Sequence, residues 1–249
     1  MKRVMLTVAY DGTNYHGWQL QPNVTTVEGV LNGKLSELLR EEIRVIGASR
    51  TDTGVHALGN VAVFDTAARM PADKISYALN QRLPEDIRIQ ESREVPPTFH
   101  PRHQASRKTY EYKILNRAFP MPVYRLYTHF TYVPLDVAQM QKAAAYLTGE
   151  HDFKSFCSEH TTVETTVRTI YESTVEKSGD IIIIRVTGSG FLYNMVRIIA
   201  GTLIEAGKGR LAPESMPEIL KACDRAQAGP TAPACGLTLV KYTFSGLDG

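Results

Sequence analysis

The sequence predicts an α+β protein made of two successive βαββαβ halves. Three observations lead there. Short runs that alternate apolar and polar residues are interleaved with runs of helical periodicity, and the order of the two kinds repeats once along the chain. With 249 residues and 43% apolar side chains, the chain can bury one large core or two small ones. Lys2 to Tyr10 alternates as a strand, and Thr25 with Glu28 has the spacing of a capping box ahead of a helical run through Val27, Leu31, Leu35 and Leu39. Ile43 to Ala48 and Asn60 to Asp65 read as short strands around a polar loop, Ser49 to Gly59. Pro71 suits the first turn of a helix reaching Arg82, and Ile87 to Val95 closes the first half as a strand.

The second half starts with a strand from Ser106 through Tyr110, Tyr112 and Ile114, followed by a helix over Asp136 to Leu147. Thr166 to Lys177 and Ile181 to Thr187 pair as a hairpin across Ser178-Gly179-Asp180. Helices at Phe191 to Ala206 and Glu214 to Cys223 and a strand at Leu237 to Phe244 complete it. Each half then has the ferredoxin-like, RRM-like order, with a domain boundary between residues 104 and 105, so that 1–104 and 105–249 are the two units. Side by side they predict a pseudosymmetric, mixed but mainly antiparallel sheet with helices on one face and a cleft between the halves. RNA-recognition domains present such a sheet face to their ligand.

Composition excludes several classes. No tract is low in complexity, and the longest apolar stretches are too short, or are interrupted by Asn194 and Arg197, for a bilayer span. No export segment is visible at the start, and Cys157, Cys223 and Cys235 are too few and too scattered for a disulfide framework, so a cytoplasmic protein is expected. The net charge is only +2, but residues 88–125 hold eight basic and three acidic side chains. That segment carries Arg102, Arg107, Lys108 and Lys113 beside Tyr110, Tyr112 and Tyr124, which fits a phosphate-contacting stripe with rings for stacking and equally a solvated strand face.

Two clusters concentrate residues able to do chemistry. The first is Gly47-Ala48-Ser49-Arg50-Thr51-Asp52-Thr53-Gly54-Val55-His56-Ala57, a polar loop between apolar strands, where Arg50 and Asp52 point the same way in an extended stretch and Gly54 permits a turn. By composition alone Thr-Asp-Thr-Gly is also an ordinary turn. The second is Gly188-Ser189-Gly190-Phe191-Leu192-Tyr193-Asn194-Met195-Val196-Arg197, glycines opening an apolar helix. An arginine there either meets an anion, for which Asp52 is the candidate, or snorkels past Tyr193 to solvent.

Asp52 within Ser-Arg-Thr-Asp-Thr-Gly-Val-His-Ala, together with Tyr10-Asp11-Gly12-Thr13-Asn14-Tyr15-His16-Gly17-Trp18-Gln19, resembles the bacterial tRNA pseudouridine synthase A family. The resemblance continues in order through Arg107-Lys108-Thr109-Tyr110-Glu111-Tyr112, His151-Asp152-Phe153, Phe191 to Arg197 and Thr231 to Leu237. Departures are small: Ser49 stands where many relatives have glycine, Asn60 where glutamine is usual, and Pro101 where alanine is common. The resemblance implies a pseudouridine synthase fold and an isomerase that converts uridine to pseudouridine at positions 38, 39 and 40 of the tRNA anticodon stem-loop. It implies no cofactor and no metal, tRNA rather than DNA as partner, and a homodimer. It also implies Asp52, Tyr110 and Arg197 as catalytic residues and Arg50, Thr51, Gly54, His56, Arg107, Lys108 and Leu237, with Tyr110, as substrate-binding ones.

Rival readings are weaker. His100-x-x-His103 and Cys157-x-x-His160 have ligand-like spacing, yet no second pair follows at finger-like distance. Asp11-Gly12-Thr13 and Asp52-Thr53-Gly54 lack the acidic partner or the glycine-rich lysine loop that phosphoryl transfer needs. A non-catalytic RNA-binding module is the alternative that the same sheet and basic segment support.

Overall fold

The computed structural model describes residues 1–158 and 163–245. Their fold is α+β, and by its contacts the chain forms two compact units, 1–105 with 239–249, and 106–238.

In the first unit β1 (Lys2–Tyr10) lies between β4 (Ile87–Val95) and β3 (His56–Thr66), antiparallel to both, with Leu6 opposite Ala62 and Ser92. The far edge of β3 takes β2 (Ile46–Gly47), Ile46 facing Val63, and beside it β10 (Leu237–Phe244), whose residues from Leu239 on belong to this unit. Alternation along β1 sorts side chains by face, as strand geometry requires. Met5 and its partner Val63 join Val61, Val95, Phe99 and Phe244 in one core cluster, where the two phenyl rings meet edge to face at 5.1 Å. Helices α1 (Val27–Leu39) and α2 (Ala72–Asn80) bury Val27, Leu31, Leu35, Ile75 and Leu79.

Three local features differ from expectation. The α1 cap is Thr26, not Thr25: Thr26 Oγ1 accepts the Gly29 N–H, while the Thr25 carbonyl accepts from His16 N and so belongs to the incoming loop. Glu28 turns back to accept the Leu20 N–H at 3.0 Å instead of closing a capping box. The expected strand over Ile43 to Ala48 shrinks to β2, and β3 begins at His56, so His56 and Ala57 are strand residues rather than loop.

In the second unit β5 (Ser106–Asn116), β9 (Ile181–Gly188), β8 (Val167–Ser178) and β7 (Gly149–Asp152) follow one another antiparallel, and the short β6 (His129–Thr131) pairs parallel to β5. The β8–β9 hairpin turns at Gly179 with φ +59°, as the Ser-Gly-Asp signal demands. Helix α3 (Val137–Ala145) is capped by Asp136, whose carboxylate accepts from Ala138 N and Gln139 N, and α5 spans Met216–Ala222.

Helix α4 (Met195–Gly207) starts four residues later than its periodicity suggests, because Asn194 adopts φ +59° and cannot continue a helix backwards. Nearly every residue of α4 is buried, the pattern of a helix enclosed on all sides. Part of that enclosure is the stretch Gly229 to Ala232, which lies directly on the helix: Gly229 N donates to Thr202 Oγ1 at 2.9 Å and Ala232 N to the Arg197 carbonyl at 3.1 Å. A Cβ on Gly201 would sit 1.7 Å from the Pro230 carbonyl oxygen. Gly201→Ala should therefore lower stability by about 1–3 kcal/mol through overpacking, against its gain in helix propensity of about 1 kcal/mol. An unchanged or raised urea midpoint would contradict this packing.

Candidate functional site

The Asp52 loop is fastened by a buried polar network. Asn60, at the heart of β3 and fully buried, accepts the Ser49 N–H with its Oδ1 at 3.2 Å and donates from Nδ2 to the Ser49 carbonyl at 3.0 Å. The same Nδ2 reaches the Tyr10 hydroxyl at 3.3 Å, and that hydroxyl meets Thr51 Oγ1 at 2.7 Å. Burial pushes the Tyr10 phenol well above the usual tyrosine range, so it stays a neutral hydrogen-bonding strut at any physiological pH.

From the other side the loop is clasped by residues 11–18. Trp18 N donates to the Thr51 carbonyl at 3.0 Å, Gly54 N to the Tyr15 carbonyl at 3.3 Å, and Val55 N closes a turn onto the Asp52 carbonyl at 3.1 Å. Glycine is required for this approach: a Cβ at Gly12 would lie 2.0 Å from the Val55 oxygen, and Gly17, at φ +81°, would place one 2.5 Å from the Thr51 oxygen. The clasp is itself anchored where the Tyr15 hydroxyl donates to Asp86 Oδ1 at 2.6 Å and Asp11 N to the Asp86 carbonyl. Burial, then Asp86, holds the Tyr15 proton in place. His56, only 4% exposed, accepts the Gly12 N–H at Nδ1 over 3.1 Å. That assignment puts the ring proton on Nε2 and makes the 3.1 Å approach of Asp11 Oδ1 to Nδ1 a contact rather than a donated bond.

Of the expected loop residues, Thr51 and His56 are thus buried fasteners, Gly54 takes the turn at φ +77°, Asp52 is half-buried and Arg50 is exposed. The backbone that carries Asp52 is thus set by its neighbours.

The second unit carries the other candidates. Tyr110 points from β5 to the same side as the buried Tyr112 and Ile114, is 8% exposed, and receives the edge of the Phe191 ring at 5.2 Å and 84°. Arg197, in the first turn of α4, is oriented by two bonds: Nε donates to the Ala232 carbonyl and an Nη to Asn194 Oδ1, both at 2.8 Å. Asn194 in turn donates to Ser158 Oγ at 2.9 Å, so its left-handed backbone serves both the helix start and the guanidinium plane. The Tyr112 hydroxyl donates to the Pro233 carbonyl at 2.8 Å, and burial raises its proton affinity while the Arg197 charge opposes that rise. Leu237 is buried at the start of β10.

The basic segment does not behave as one stripe. Lys113 lies near Glu111, Arg117 pairs with Asp180 at 3.2 Å, Arg93 approaches Glu91, and Arg88 donates to its own neighbouring carbonyls, including Ile87 O at 2.7 Å. Arg102 spends its Nε on the Gly47 carbonyl at 2.7 Å, and Arg107 stacks over the Tyr171 ring at 4.4 Å. Lys108 is half-buried next to Arg168, a residue that sequence reasoning passed over as part of a strand; the register of the β8–β9–β5 ladder is the signal that would have found it.

Among the described residues no cluster of three or more His, Cys, Asp or Glu is placed to hold a metal ion. His100 and His103 stack ring on ring at 4.0 Å, and His160 of the other histidine spacing lies outside the described residues. None of the three cysteines is in a disulfide, and no described helix is long and apolar enough to cross a membrane.

A family model described as tRNA pseudouridine synthase matches residues 6–104 and 143–245, stretches that contain Asp52 and Arg197 and leave out the strand that carries Tyr110. Proteins named tRNA pseudouridine synthase A are similar over 98% of this chain and the whole of their own length. Those of Ruminiclostridium cellulolyticum, Thermoanaerobacter sp. and Brevibacillus brevis are 51%, 49% and 49% identical. With both halves matched and identity near one half from end to end, the chain belongs to the tRNA pseudouridine synthase family.

Proposed function

We propose that the protein isomerises uridine to pseudouridine at positions 38, 39 and 40 of the tRNA anticodon stem-loop, with Asp52 as the essential carboxylate. The observation that carries this is the clasped loop of a family member, which fixes the backbone of Asp52 through buried bonds on both sides. The reaction breaks the bond from ribose C1′ to N1 of uracil, turns the ring, and joins C1′ to C5. C5 gives up its proton and N1 gains one, so substrate and product are isomers and no redox partner enters.

An ionised carboxylate can attack C1′, add to the ring, or take a proton from the ribose, and a fixed loop serves all three routes. Arg197 is assigned the countercharge, since a cation favours the ionised form of a carboxylate in a water-poor site. Its two protein bonds hold the guanidinium plane ready for that task. Tyr110 offers its ring to the uracil and its hydroxyl to the C5 proton, and its T-shaped contact with Phe191 limits its rotation. The target base is stacked in the stem and must swing out first, and the exposed Arg50 next to Asp52 is assigned to the gap it leaves. The reading places the enzyme in the cytoplasm with its tRNA, as a homodimer.

Asp52→Asn should abolish pseudouridine formation in an unmodified tRNA transcript while tRNA affinity changes by no more than about threefold, because the substitution keeps the shape of the side chain and the loop backbone is held by buried bonds from its neighbours. Normal turnover by this variant would remove Asp52 from the mechanism. Tyr110→Phe is expected to lower kcat by roughly 10²-fold or more, the scale of a proton-transfer group, with little change in affinity. If the rate were unaltered, only the ring would have a role. Equilibrium sedimentation should give twice the chain mass, and a monomer at micromolar concentration would refute the dimer.

A further inference from the structure

Lys108 and Arg168 come from two strands that do not touch each other, yet their charged ends meet at one place. Both strands pair with β9 at its last residue: Lys108 and Ile170 each stand opposite Gly188. Lys108 shares its face of β5 with Tyr110, and Arg168 is two residues from Ile170 on the same buried side of β8. Gly188 contributes no side chain between them, and the Phe191 ring comes within 3.1 Å of where its Cβ would be. A Cβ on Gly190 would lie 3.6 Å from Arg168 Nε and 4.0 Å from Lys108 Nζ, so both cationic groups border the same small volume over the glycine turn. That volume adjoins Phe191, whose ring lies T-shaped against that of Tyr110.

Arg168 is held in this posture by donating an Nη to the Thr165 carbonyl at 2.9 Å and the Val167 carbonyl at 2.6 Å. Among the described residues no carboxylate forms an ion pair with it. Two like charges that border one half-buried volume repel each other, and a compact anion entering that volume would relieve the repulsion. A phosphate bridging a guanidinium and an ammonium accepts charge-assisted bonds of about 2.7–2.9 Å from each.

We propose that Lys108 and Arg168, converging over the Gly188–Gly190 turn, seat a single backbone phosphate of the tRNA beside the nucleotide received by Tyr110. This rests on the tRNA-modifying role above and adds to it the position of the strand relative to the reacting base. Burial, and then the Arg168 charge, brings the Lys108 ammonium down to about 8, a cost that an arriving phosphate reverses. The competing structural role, in which the two stems merely cover Phe191, needs no anion.

The test is the salt dependence of binding to an unmodified tRNA transcript, measured between about 50 and 200 mM salt for wild type, Lys108→Gln, Arg168→Gln and the double variant. A shared phosphate predicts that the double variant reduces the slope of log affinity against log salt by about one, with a combined loss smaller than the product of the single losses. A reduction of about two would mean two separate phosphates and overturn the shared seat, and an unchanged slope would leave only the covering role.

The exchanged double variant, Lys108→Arg with Arg168→Lys, keeps both charges and should retain the wild-type slope, which separates charge from folding defects. Arg185→Gln, on the other face of the same sheet in a pair with Glu111, should leave the slope as it is. Because the phosphate is seated beside the swung-out base, kcat should fall together with kcat/KM in the double variant. Pseudouridine formation by wild type with an unaltered slope in the double variant would reject the seat alone, whereas no pseudouridine from wild type would reject the parent reading.

Discussion

The position of Asp52 depends on one buried amide. Asn60 occupies the centre of β3 with no access to water, and its side chain closes a reciprocal pair of bonds with the backbone of Ser49 while touching the Tyr10–Thr51 hydroxyl pair. Each such bond contributes only about 1 kcal/mol net, but removing one partner strands the others in a dry interior at about 1–3 kcal/mol apiece. The loop is thus held less by the strength of its bonds than by the cost of leaving any of them unmade. Gly12 and Gly17 complete the constraint by letting a second backbone segment lie directly on the first. Ordering a free loop at binding costs about 1–2 kcal/mol per residue, and here that cost is met during folding.

How much of this was legible in the sequence follows from how local each feature is. Lys2–Tyr10, Ile87–Val95 and Leu237–Phe244 are strands with the bounds their alternation indicates, since β-branched runs ended by glycine, proline or polar turns decide such elements by themselves. His129–Thr131 and Gly149–Asp152 escaped notice because three or four residues carry no period, and they are strands only because a neighbour's edge is there to pair with. The late start of α4 has the same cause: Phe191 to Tyr193 are as apolar as the helix, and only the positive φ of Asn194 divides them. The return of the chain from Leu239 to the first unit is a long-range event that no local pattern records.

The site was legible as a set of residue types and much less as a geometry. Asp52, Arg197 and Tyr110 stand out because carboxylates, guanidiniums and phenols in glycine-rich surroundings are the common materials of such chemistry. The contacts that hold the Asp52 loop join residues some forty apart, as Tyr10 with Thr51 or Gly12 with His56. His56 shows the difference well: by type it is a candidate for the substrate, and by contact it is the acceptor for a loop amide. The basic segment misled in the opposite direction. Charge counted along the chain suggests a continuous stripe, but side-chain direction alternates on a strand, so Lys113 near Glu111 and Arg107 over Tyr171 face different surroundings from Lys108.

Lys108 and Arg168 make a small positive focus over the Gly188–Gly190 turn, and its location matters more than its size. Nonspecific affinity for a polyanion comes from many exposed cations that bind ground state and transition state alike, and uniform binding of that kind does nothing for the chemical step. A pair of partly dehydrated cations beside the ring proposed to receive the base would act differently. It exacts its cost in the free protein, as the lowered proton affinity of Lys108 records, and repays it only when a phosphate arrives in one place. Because that place adjoins Phe191, and Phe191 abuts Tyr110, the proposed seating of the strand and the proposed confinement of the flipped base would be parts of the same event. An enzyme that must pull a stacked nucleotide out of a stem gains most from contacts of this sort, which favour the swung-out strand over the stacked one.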